Sequence, residues 1–341
     1  MDKDKVFIIA ELSANHNNDY NLAVKTIEAM AEAGADAVKF QTYTPDSLTL
    51  NVDNEYFGPR PVGLWKGMTL YEIYQKGTMP YEWQPKLKTI ANDLGLVCFS
   101  TPFDFEGVDF MESMDMPIYK IASLEITDVN LIRYAAEKHK PMIISTGVAT
   151  IEDIQLAIDT CHEAGNDDIT LLKCTTEYPA PLHRANLMTI PDMKKRFGVK
   201  VGVSDHTLGN IVPITAVALG AQVVEKHFIL DRALGGLDSG FSLNKDEFAQ
   251  MVREIRMTEE AMGSVSYELV GRGVTGRRSL FASKDIKRGD TLSLENVKSV
   301  RPAAGLPPKY LHTILGKKAC RDIEVGEPLS FEMIVCDQMI K

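Results

Sequence analysis

The sequence lacks several features by which other classes of protein are recognised. No apolar run approaches the twenty or so residues of a membrane-spanning helix, so no membrane partner is expected. The five cysteines include no CxxC pair, which argues against a zinc framework or a disulfide scaffold. Basic residues are also outnumbered: 37 lysines and arginines stand against 47 aspartates and glutamates, a net charge of −10. This balance argues against a general nucleic-acid binder, because nothing would favour approach to a phosphate polymer.

The amino-terminal segment lacks a secretory signal. After a few charged residues the chain passes directly into the apolar run VFIIAEL, without the long apolar core and small-residue cleavage site of a signal peptide. We therefore expect a cytoplasmic protein with reduced, buried thiols rather than disulfides. The cysteines concerned are Cys98, Cys161, Cys174, Cys320 and Cys336.

Short β-branched runs alternate with amphipathic helical stretches along most of the chain, up to about Gly263. Eight runs in this alternation indicate parallel βαβ units, and their number and combined length predict a closed (β/α)₈ TIM barrel of the α/β class. A doubly wound sheet is the alternative, but no GxGxxG follows the first strand, so its dinucleotide-binding form has little support. The predicted strands are VFIIAEL, DAVKFQ, LVCFST, IYKIAS, PMIIST, ITLLKCT, KVGVSDH and QVVEKHF.

One connection is longer than a barrel requires. Residues 44–83 separate the second strand from the next clear helix and are rich in aromatic side chains. Long insertions in compact domains are usually functional, and in a barrel this one would lie over the carboxyl ends of the strands. The aromatic residues and Lys66 make it a candidate lid, and an exposed surface loop is the alternative.

The composition changes after Gly263. KDIKRGDTLS and RDIEVGEPLS are near-repeats, each read as a short strand, a glycine turn and another short strand, and proline and glycine are frequent. This pattern predicts a small β-rich domain joined by a glycine-rich linker. We expect a barrel over 1–263, a linker over 264–279 and the second domain over 280–341.

Polar side chains end every predicted strand. In a closed barrel the carboxyl ends of the strands surround one pocket, and strand residues two apart share a face. Buried polar groups without partners cost roughly 1–3 kcal/mol each, so packing alone does not explain eight such endings. The residues are Glu11, Lys39, Gln41, Ser100, Thr101, Lys120, Ser123, Ser145, Thr146, Lys173, Thr175, Ser204, His206, Glu225 and His227.

Two histidines end neighbouring strands, the seventh and the eighth. His206 and His227 could together bind a borderline divalent metal and leave coordination positions open for water and substrate. The alternative is that each is a hydrogen-bonded core residue. A third histidine, His16 in SANHNND, is a candidate for the rim of the pocket.

Three lysines at strand ends need an anionic partner. Lys39, Lys120 and Lys173, beside serine and threonine hydroxyls, suit a phosphate and a carboxylate together. One of them could instead form a Schiff base, as in class I aldolases. A non-catalytic binding protein, in which the β-rich tail makes the contacts, is the third alternative.

At these residues the chain resembles the sialic acid synthase family, which condenses phosphoenolpyruvate with an amino-sugar. The tail segment GRRSLFASKDIKRGDTL resembles the antifreeze-like (SAF) domain that follows the barrel in that family. AELSANHNN, WKGMTLYEIY and FSTPFD are more similar to the pseudaminic acid branch than to the neuraminate pattern AEIGxNHxG. The matching motifs, in order, are FIIAELSANHN, GADAVKFQTY, YKIASLEITD, IISTGVAT, LLKCTTEYPAP, GVSDHTLG, VVEKHFILDR and GGLDSGFSL.

The resemblance implies a reaction. A divalent metal, Mn²⁺ or alternatively Mg²⁺ or Co²⁺, would polarise the aldehyde of an open-chain sugar, which phosphoenolpyruvate attacks before phosphate leaves by C–O cleavage. The branch implies 2,4-diacetamido-2,4,6-trideoxy-altropyranose as the acceptor. The alternative is an N-acetylneuraminate or legionaminate synthase that uses a different amino-sugar.

The resemblance also implies roles for individual residues. His206 and His227 would bind the metal, and Glu125 would act as an acid or base. Arg277 or Arg278 would reach the pocket of a partner subunit, which implies a domain-swapped homodimer, although a solvated pair of linker charges is the alternative. Phosphoenolpyruvate would contact Lys39, Thr101, Lys120, Ser123, Ser145 and Ser204, with Lys173 grouped beside them; the sugar would contact Glu11, Gln41, Tyr178 and Asp238.

Overall fold

Eight parallel strands form a closed barrel in the computed structural model, which describes residues 5–63 and 65–334. Each strand pairs with its neighbour in the sequence, and β1 also pairs with β8, so the sheet has no free edge. The predicted barrel is confirmed, and each predicted strand is present. The strands are β1 (Phe7–Glu11), β2 (Ala37–Thr42), β3 (Val97–Pro102), β4 (Tyr119–Ile121), β5 (Met142–Ser145), β6 (Ile169–Cys174), β7 (Lys200–Asp205) and β8 (Val223–His227).

Helices follow the strands in the alternation that the sequence predicts. Capping residues begin several of them: the Asp19 carboxylate, for example, accepts hydrogen bonds from the backbone amides of Asn21 and Leu22, the second and third residues of α1. None of the helices in the described residues is both long and apolar enough to span a membrane. The helices of this unit are α1 (Tyr20–Glu32), α2 (Pro45–Leu48), α3 (Leu70–Gly77), α4 (Gln84–Asp93), α5 (Phe105–Ser113), α6 (Val129–Ala136), α7 (Ile151–Glu163), α8 (Thr189–Phe197), α9 (Ile211–Ala218) and α10 (Lys245–Met262).

Strand residues alternate between two separate cores. Those of one parity, such as Ile8 and Ala10, pack against the surrounding helices. Those of the other parity, such as Phe7 and Ile9, fill the interior of the barrel. Continuing the inner parity towards the carboxyl end of each strand gives the residues that face the pocket. They are Glu11, Lys39, Gln41, Thr101, Lys120, Ser145, Cys174, Ser204, Glu225 and His227.

The insertion after β2 has structure of its own. It contains α2, α3 and a turn of 3₁₀ helix over Tyr81–Trp83, and a capping box of Thr69 and Glu72 begins α3. The Thr78 hydroxyl, just after α3, donates to the carbonyl of Tyr43, just after β2, at 2.6 Å. This bond attaches the end of α3 to the end of β2. Lys66, predicted to contribute to a lid, is exposed.

The chain divides into two compact units, the first over 1–263 and the second over 264–341. The second unit contains α11 (Arg272–Thr275), an antiparallel pair of β9 (Ser279–Ala282) and β10 (Val297–Val300), and α12 (Leu311–Ile314). The linker predicted over 264–279 therefore includes a helical turn, and its role as a linker stays a prediction.

The two near-repeats of this unit pair with each other. Ile286 and Ile323, at the same place in each repeat, form an antiparallel bridge and are both buried in the core. Gly289 and Gly326 provide the turns, with φ values of 93° and 87° that other residues rarely adopt. The prediction of two short strands in each repeat is wrong, since among the described residues these segments pair only through isolated bridges.

The thiols agree with the expectation in part. Cys98, Cys161 and Cys174 are free and buried. Cys320 is disulfide-bonded, so the expectation of a free thiol is wrong there. Cys336 lies outside the described residues.

Gly202 is the residue of β7 that allows β8 to pack closely beside it. A Cβ at this position would overlap the Val223 carbonyl oxygen and lie 2.7 Å from Leu172 Cδ2, both in the wall or interior of the barrel. Gly202→Ala should therefore lower the free energy of unfolding by about 1–3 kcal/mol, the cost of overpacking a rigid core. Urea unfolding measures the change.

Gly240→Ala is the matched control, because nothing lies within 4 Å of a Cβ built there. Its free energy of unfolding should stay within about 0.5 kcal/mol of the parent. If both variants lost the same free energy of unfolding, the close packing of β8 against Gly202 could not be the cause of the loss.

Candidate active site

A buried cluster of one lysine and two carboxylates lies at the carboxyl ends of three neighbouring strands, β8, β1 and β2. Lys39 Nζ lies 2.8 Å from Glu11 Oε2 and 3.2 Å from Glu225 Oε2, and it donates to Thr101 Oγ1 at 3.4 Å. The Ser204 hydroxyl donates to the other oxygen of Glu225 at 2.8 Å. Lys39, Thr101 and Ser204 are thus brought together as the sequence predicts.

The two carboxylates of this cluster differ in charge. Burial raises the pKa of Glu11 to about 7. Burial also opposes ionisation of Glu225, but attraction to Lys39 and Lys120 outweighs it and lowers the pKa of Glu225 to about 2. Burial likewise disfavours the charged Lys39, yet its two carboxylate neighbours raise the pKa of the ammonium above its ordinary value. The cluster thus holds a permanent ammonium and one permanent carboxylate.

Lys120 supplies a second ammonium on the far side of the pocket floor. Its Nζ donates to the Ser145 hydroxyl at 2.7 Å and to the Ile121 carbonyl at 2.9 Å. Among the described residues these acceptors use two of its three N–H donors, so a third can serve an anion. Burial lowers the pKa of Lys120 to about 8, which leaves it mostly protonated at pH 7.

A short turn after β4 adds a hydroxyl and a carboxyl group. Ser123 and Glu125 lie in one turn of 3₁₀ helix, and Ser123 Oγ accepts a hydrogen bond from the Gly147 amide at 3.1 Å. Glu125 Oε2 is buried without a hydrogen-bond partner among the described residues. Burial raises the pKa of Glu125 to about 7, so the group exchanges a proton readily near neutral pH.

The two predicted metal-binding histidines face each other. The ring centroids of His206 and His227 are 5.2 Å apart, and both rings contact Phe241. His206 Nδ1 lies 2.8 Å from the Thr175 carbonyl oxygen, which requires a proton on Nδ1 and makes Nε2 the ring nitrogen through which a metal would bind. Burial lowers the pKa of His227 well below its ordinary value, so that its ring is neutral at pH 7.

The donor set around these rings fits a divalent ion held by two imidazoles. A metal-binding histidine usually donates its other ring N–H to a carbonyl or carboxylate, as His206 does to Thr175. His227 Nδ1 is buried without a hydrogen-bond partner in the described part of the chain and lies 3.8 Å from Asp238 Oδ2. No group of three or more histidine, cysteine, aspartate or glutamate side chains in residues 5–63 and 65–334 is arranged as metal ligands. Water or substrate would complete the coordination.

Aromatic side chains border the histidine pair. The Tyr178 ring lies 4.5 Å from the His206 ring and 5.1 Å from the Phe241 ring. Trp65, from the insertion after β2, lies 6.3 Å from Tyr178 and donates its indole N–H to the Leu237 carbonyl at 3.2 Å. The insertion therefore contributes one aromatic residue to the border of the pocket.

Lys173 is not brought into the pocket. Leu172 belongs to the barrel interior and Leu171 to the outer core, so alternation places Lys173 on the outer face and Cys174 on the inner one. Lys173 Nζ donates to the Cys174 carbonyl at 2.8 Å. The predicted grouping of Lys173 with the phosphate-binding residues is corrected on this ground, and Cys174 is the pocket residue that sequence reasoning missed.

His16 is a core residue rather than part of the pocket rim. It is fully buried, its Nδ1 accepts a hydrogen bond from the Asn18 amide at 3.1 Å, and its ring meets Trp83 edge-on at 5.9 Å. Burial lowers its pKa to about 4, so it is neutral at pH 7. The prediction of a rim position is wrong.

The remaining predicted contacts are distributed between the two units. Gln41 is half-buried and is the register partner of Thr101. Asp238 is buried and accepts a hydrogen bond from the Ala14 amide at 3.3 Å. Arg277 and Arg278 belong to the second unit, where the Arg278 guanidinium donates to the Ser299 carbonyl at 2.8 Å. The roles of both arginines stay predictions.

Comparison with known proteins identifies the family. The model described as the NeuB family matches residues 26–267. The chain belongs to the NeuB family. A second model, described as the SAF domain, matches residues 277–335. The predicted sialic acid synthase resemblance and the predicted SAF domain are thereby confirmed.

Individual NeuB proteins match along nearly the whole chain. A pseudaminic acid synthase of Campylobacter jejuni is 49% identical over 95% of both chains. A pseudaminic acid synthase of Helicobacter pylori is 44% identical over 96% of this chain and 97% of its own. The crystal structure of the spore coat polysaccharide biosynthesis protein spsE from Bacillus subtilis superposes with a TM-score of 0.66 at 33% identity, covering 97% and 95% of the two chains.

Glu125 should make the stability of the barrel depend on pH. Its pKa is raised from 4.5 to about 7 on folding, so the folded state binds the extra proton and stability is lost as pH rises between these values. Glu125→Gln removes that loss. At pH 8 we expect the variant to be more stable than the parent by up to about 3 kcal/mol, measured by urea unfolding.

The same two proteins near pH 5 supply the control, where the gain should fall below about 1 kcal/mol. A gain that is independent of pH would mean that burial of the charged carboxylate is not its source.

Proposed function

We propose that this chain is a pseudaminic acid synthase, which condenses phosphoenolpyruvate with 2,4-diacetamido-2,4,6-trideoxy-altropyranose to give pseudaminic acid and phosphate. The observation that carries the proposal is the 44–49% identity, over at least 95% of the chain, to proteins that bear this name. The composition of the pocket agrees with the chemistry, because it combines cationic, hydroxyl and imidazole groups at one end of a barrel.

Phosphoenolpyruvate is proposed to bind between the two buried lysines. When Glu11 is protonated, the ammonium groups of Lys39 and Lys120 face only one permanent carboxylate, Glu225, so the floor of the pocket carries net positive charge. Hydroxyl groups at the strand ends can donate to phosphate and carboxylate oxygens that the lysines do not reach. These hydroxyls belong to Thr101, Ser123 and Ser145, and Ser204 joins them when its hydroxyl turns from Glu225 to the ligand.

His206 and His227 are proposed to hold a divalent ion, with Mn²⁺ favoured over Mg²⁺ or Co²⁺. When bound, the ion would supply Lewis-acid polarisation of the sugar aldehyde. The hydrogen bond from His206 to the Thr175 carbonyl keeps Nε2 available, and the low pKa of His227 keeps that ring neutral. Proteins of the NeuB family are generally metal-dependent, which supports the assignment.

The bonds change in two steps. Carbon 3 of phosphoenolpyruvate forms a C–C bond to the aldehyde carbon of the open-chain sugar, and the aldehyde oxygen takes up a proton. A water oxygen then bonds to carbon 2 and loses a proton, which balances the proton taken up by the aldehyde oxygen. The C2–O bond to phosphate breaks as the new hydroxyl becomes the C2 carbonyl, and its proton goes to the departing phosphate. Glu125, with a pKa near 7, is proposed to accept the proton from this water or to give one to the departing phosphate.

The sugar is proposed to contact a second set of polar residues in the same pocket. Tyr178 and Asp238 lie beside the histidine pair, and Glu11 and Gln41 end the first two strands. We also propose that Arg277 or Arg278 of the SAF domain completes the pocket of a second subunit, as a domain-swapped homodimer. Because the reaction uses a metabolite of central carbon metabolism, we propose that the enzyme works in the cytoplasm.

The substrate assignment is tested by phosphate release with four acceptors. We expect kcat/KM for the altro-configured diacetamido sugar to exceed that for N-acetylmannosamine and for the gluco- and manno-configured diacetamido sugars by at least about 100-fold, since unmatched polar groups in a built site are rejected strongly. A preference for another acceptor would assign the chain to a different nonulosonate.

The reaction course is tested in the same assay with phosphoenolpyruvate carrying ¹⁸O in the C2–O–P bridge. C–O cleavage keeps the label in the released phosphate, whereas its loss to the sugar acid would contradict the proposed course. Excess EDTA should abolish turnover and Mn²⁺ should restore it. Full turnover in EDTA would remove the metal role.

The assignment of the lysines is tested by a matched pair of substitutions. Lys120→Met removes a buried ammonium from the pocket and should raise KM for phosphoenolpyruvate roughly 10- to 100-fold, the value of one or two hydrogen bonds to a charged group. Lys173→Met alters the outer face of the next strand but one and should change KM less than about threefold. Similar effects of the two substitutions would contradict the inner and outer placement derived from strand alternation.

A further inference from the structure

A second buried ion pair lies directly behind the histidine pair, outside the pocket. Asp205 is the last residue of β7, immediately before His206, and Lys226 precedes His227 on β8. Asp205 and Lys226 are register partners across the two strands. Lys226 Nζ contacts Asp205 Oδ2. Strand alternation turns the imidazoles inward and this ion pair outward, so the two pairs share the same two strand ends.

The ion pair is enclosed and fully hydrogen-bonded. The side chain of Lys226 is 0% exposed and that of Asp205 is 1% exposed. The ammonium contacts the Asp205 carboxylate, the Thr207 carbonyl and, at 3.2 Å, the Gly209 carbonyl. These three acceptors match its three N–H donors. Asp205 in return accepts from the Thr207 amide at 2.9 Å and from the Thr207 hydroxyl at 3.1 Å.

These bonds close the turn that carries His206. The ammonium of Lys226 lies inside residues 205–209 and attaches that turn to β8. On the opposite side, the His206 carbonyl accepts from the Ala180 amide at 2.9 Å and the ring contacts the Thr175 carbonyl at 2.8 Å. The position of the His206 ring relative to His227 is therefore set from both sides of the strand.

Stability does not account for this arrangement. Burying two charges costs several kcal/mol for each ion, and a well-packed apolar pair of similar volume is commonly as stable or more stable. An ion pair does supply what an apolar pair does not, which is fixed direction and register between two strands. Here those strands are the ones that end in the proposed metal ligands.

We propose that Asp205 and Lys226 are positioning residues, which hold the turn after β7 against β8 so that the two imidazoles are presented to the metal at a fixed separation. The proposal rests on the proposed metal role of His206 and His227. It predicts that the ion pair contributes to metal affinity although neither side chain touches the metal.

The test is Mn²⁺ affinity, measured without substrates from the electron paramagnetic resonance signal of the free ion. The variant is the double substitution Asp205→Leu with Lys226→Met, which removes both charges together and leaves neither one buried alone. We expect the Kd for Mn²⁺ to rise at least about tenfold, as for other groups that orient metal ligands, while the far-ultraviolet circular dichroism spectrum stays that of the parent.

The matched control is Lys200→Met with Asp168→Asn. In this exposed ion pair Lys200 Nζ lies 2.8 Å from Asp168 Oδ1, at the amino-terminal ends of β6 and β7 and so at the other end of the strands from the histidines. The control should leave the Mn²⁺ affinity within twofold of the parent. Equal Mn²⁺ affinity in the parent and in a folded Asp205→Leu, Lys226→Met variant would overturn the proposal. Parent protein that binds no Mn²⁺ and turns over fully in EDTA would instead overturn the metal role on which it rests.

Thr207→Val keeps the test decisive if the double variant does not fold. It removes only the hydroxyl bond to Asp205 and leaves both charges paired. We expect a folded protein with roughly three- to tenfold weaker Mn²⁺ binding, part of the value of one hydrogen bond to a charged group. A folded Thr207→Val protein that binds Mn²⁺ as tightly as the parent would contradict the proposal.

Discussion

Each strand of the barrel divides its side chains between an interior core and a core shared with the helices, and this division decides which polar groups can act together. The inner set continues from Phe7, Ile9 and Leu172 to the ionic and hydroxyl groups at the carboxyl ends of the strands. The outer set continues to groups that hold the strands in place. A polar residue at a strand end therefore has a different function according to the parity of its position, even when its neighbour is chemically similar.

Within the pocket, each of the two buried lysines is held by polar partners, but only Lys39 contacts carboxylates. Lys39 lies between two carboxylates, and only one of them is ionised throughout the neutral range. Two hydrogen-bond acceptors fix Lys120 while its pKa stays near 8. The net effect is a cationic floor in a protein whose overall charge is −10, which shows how little bulk charge says about a buried site.

Much of the fold and of the site could be predicted, because barrel strands carry strong apolar signals and their polar endings are conspicuous. The prediction for Lys173 was wrong because Leu171 and Leu172 are equally apolar. The sequence of this strand therefore does not show which residues face the barrel interior and which face the helices. His16 was misplaced because its partners, Asn18 and Trp83, are set by tertiary packing. Strands were predicted in the near-repeats of the second unit where only isolated bridges form. A glycine turn predicts that the chain reverses, but it does not predict how many residues pair after the turn.

The partly protonated state of Glu11 has a consequence for the arrival of an anion. A phosphate or carboxylate placed beside Lys39 and Lys120 would add negative charge to a buried cluster. That charge would raise the pKa of Glu11 and the pKa of both ammonium groups. Loading the pocket near neutral pH should then draw protons from the solvent into Glu11 and Lys120. The heat of association would consequently vary with the ionisation enthalpy of the buffer.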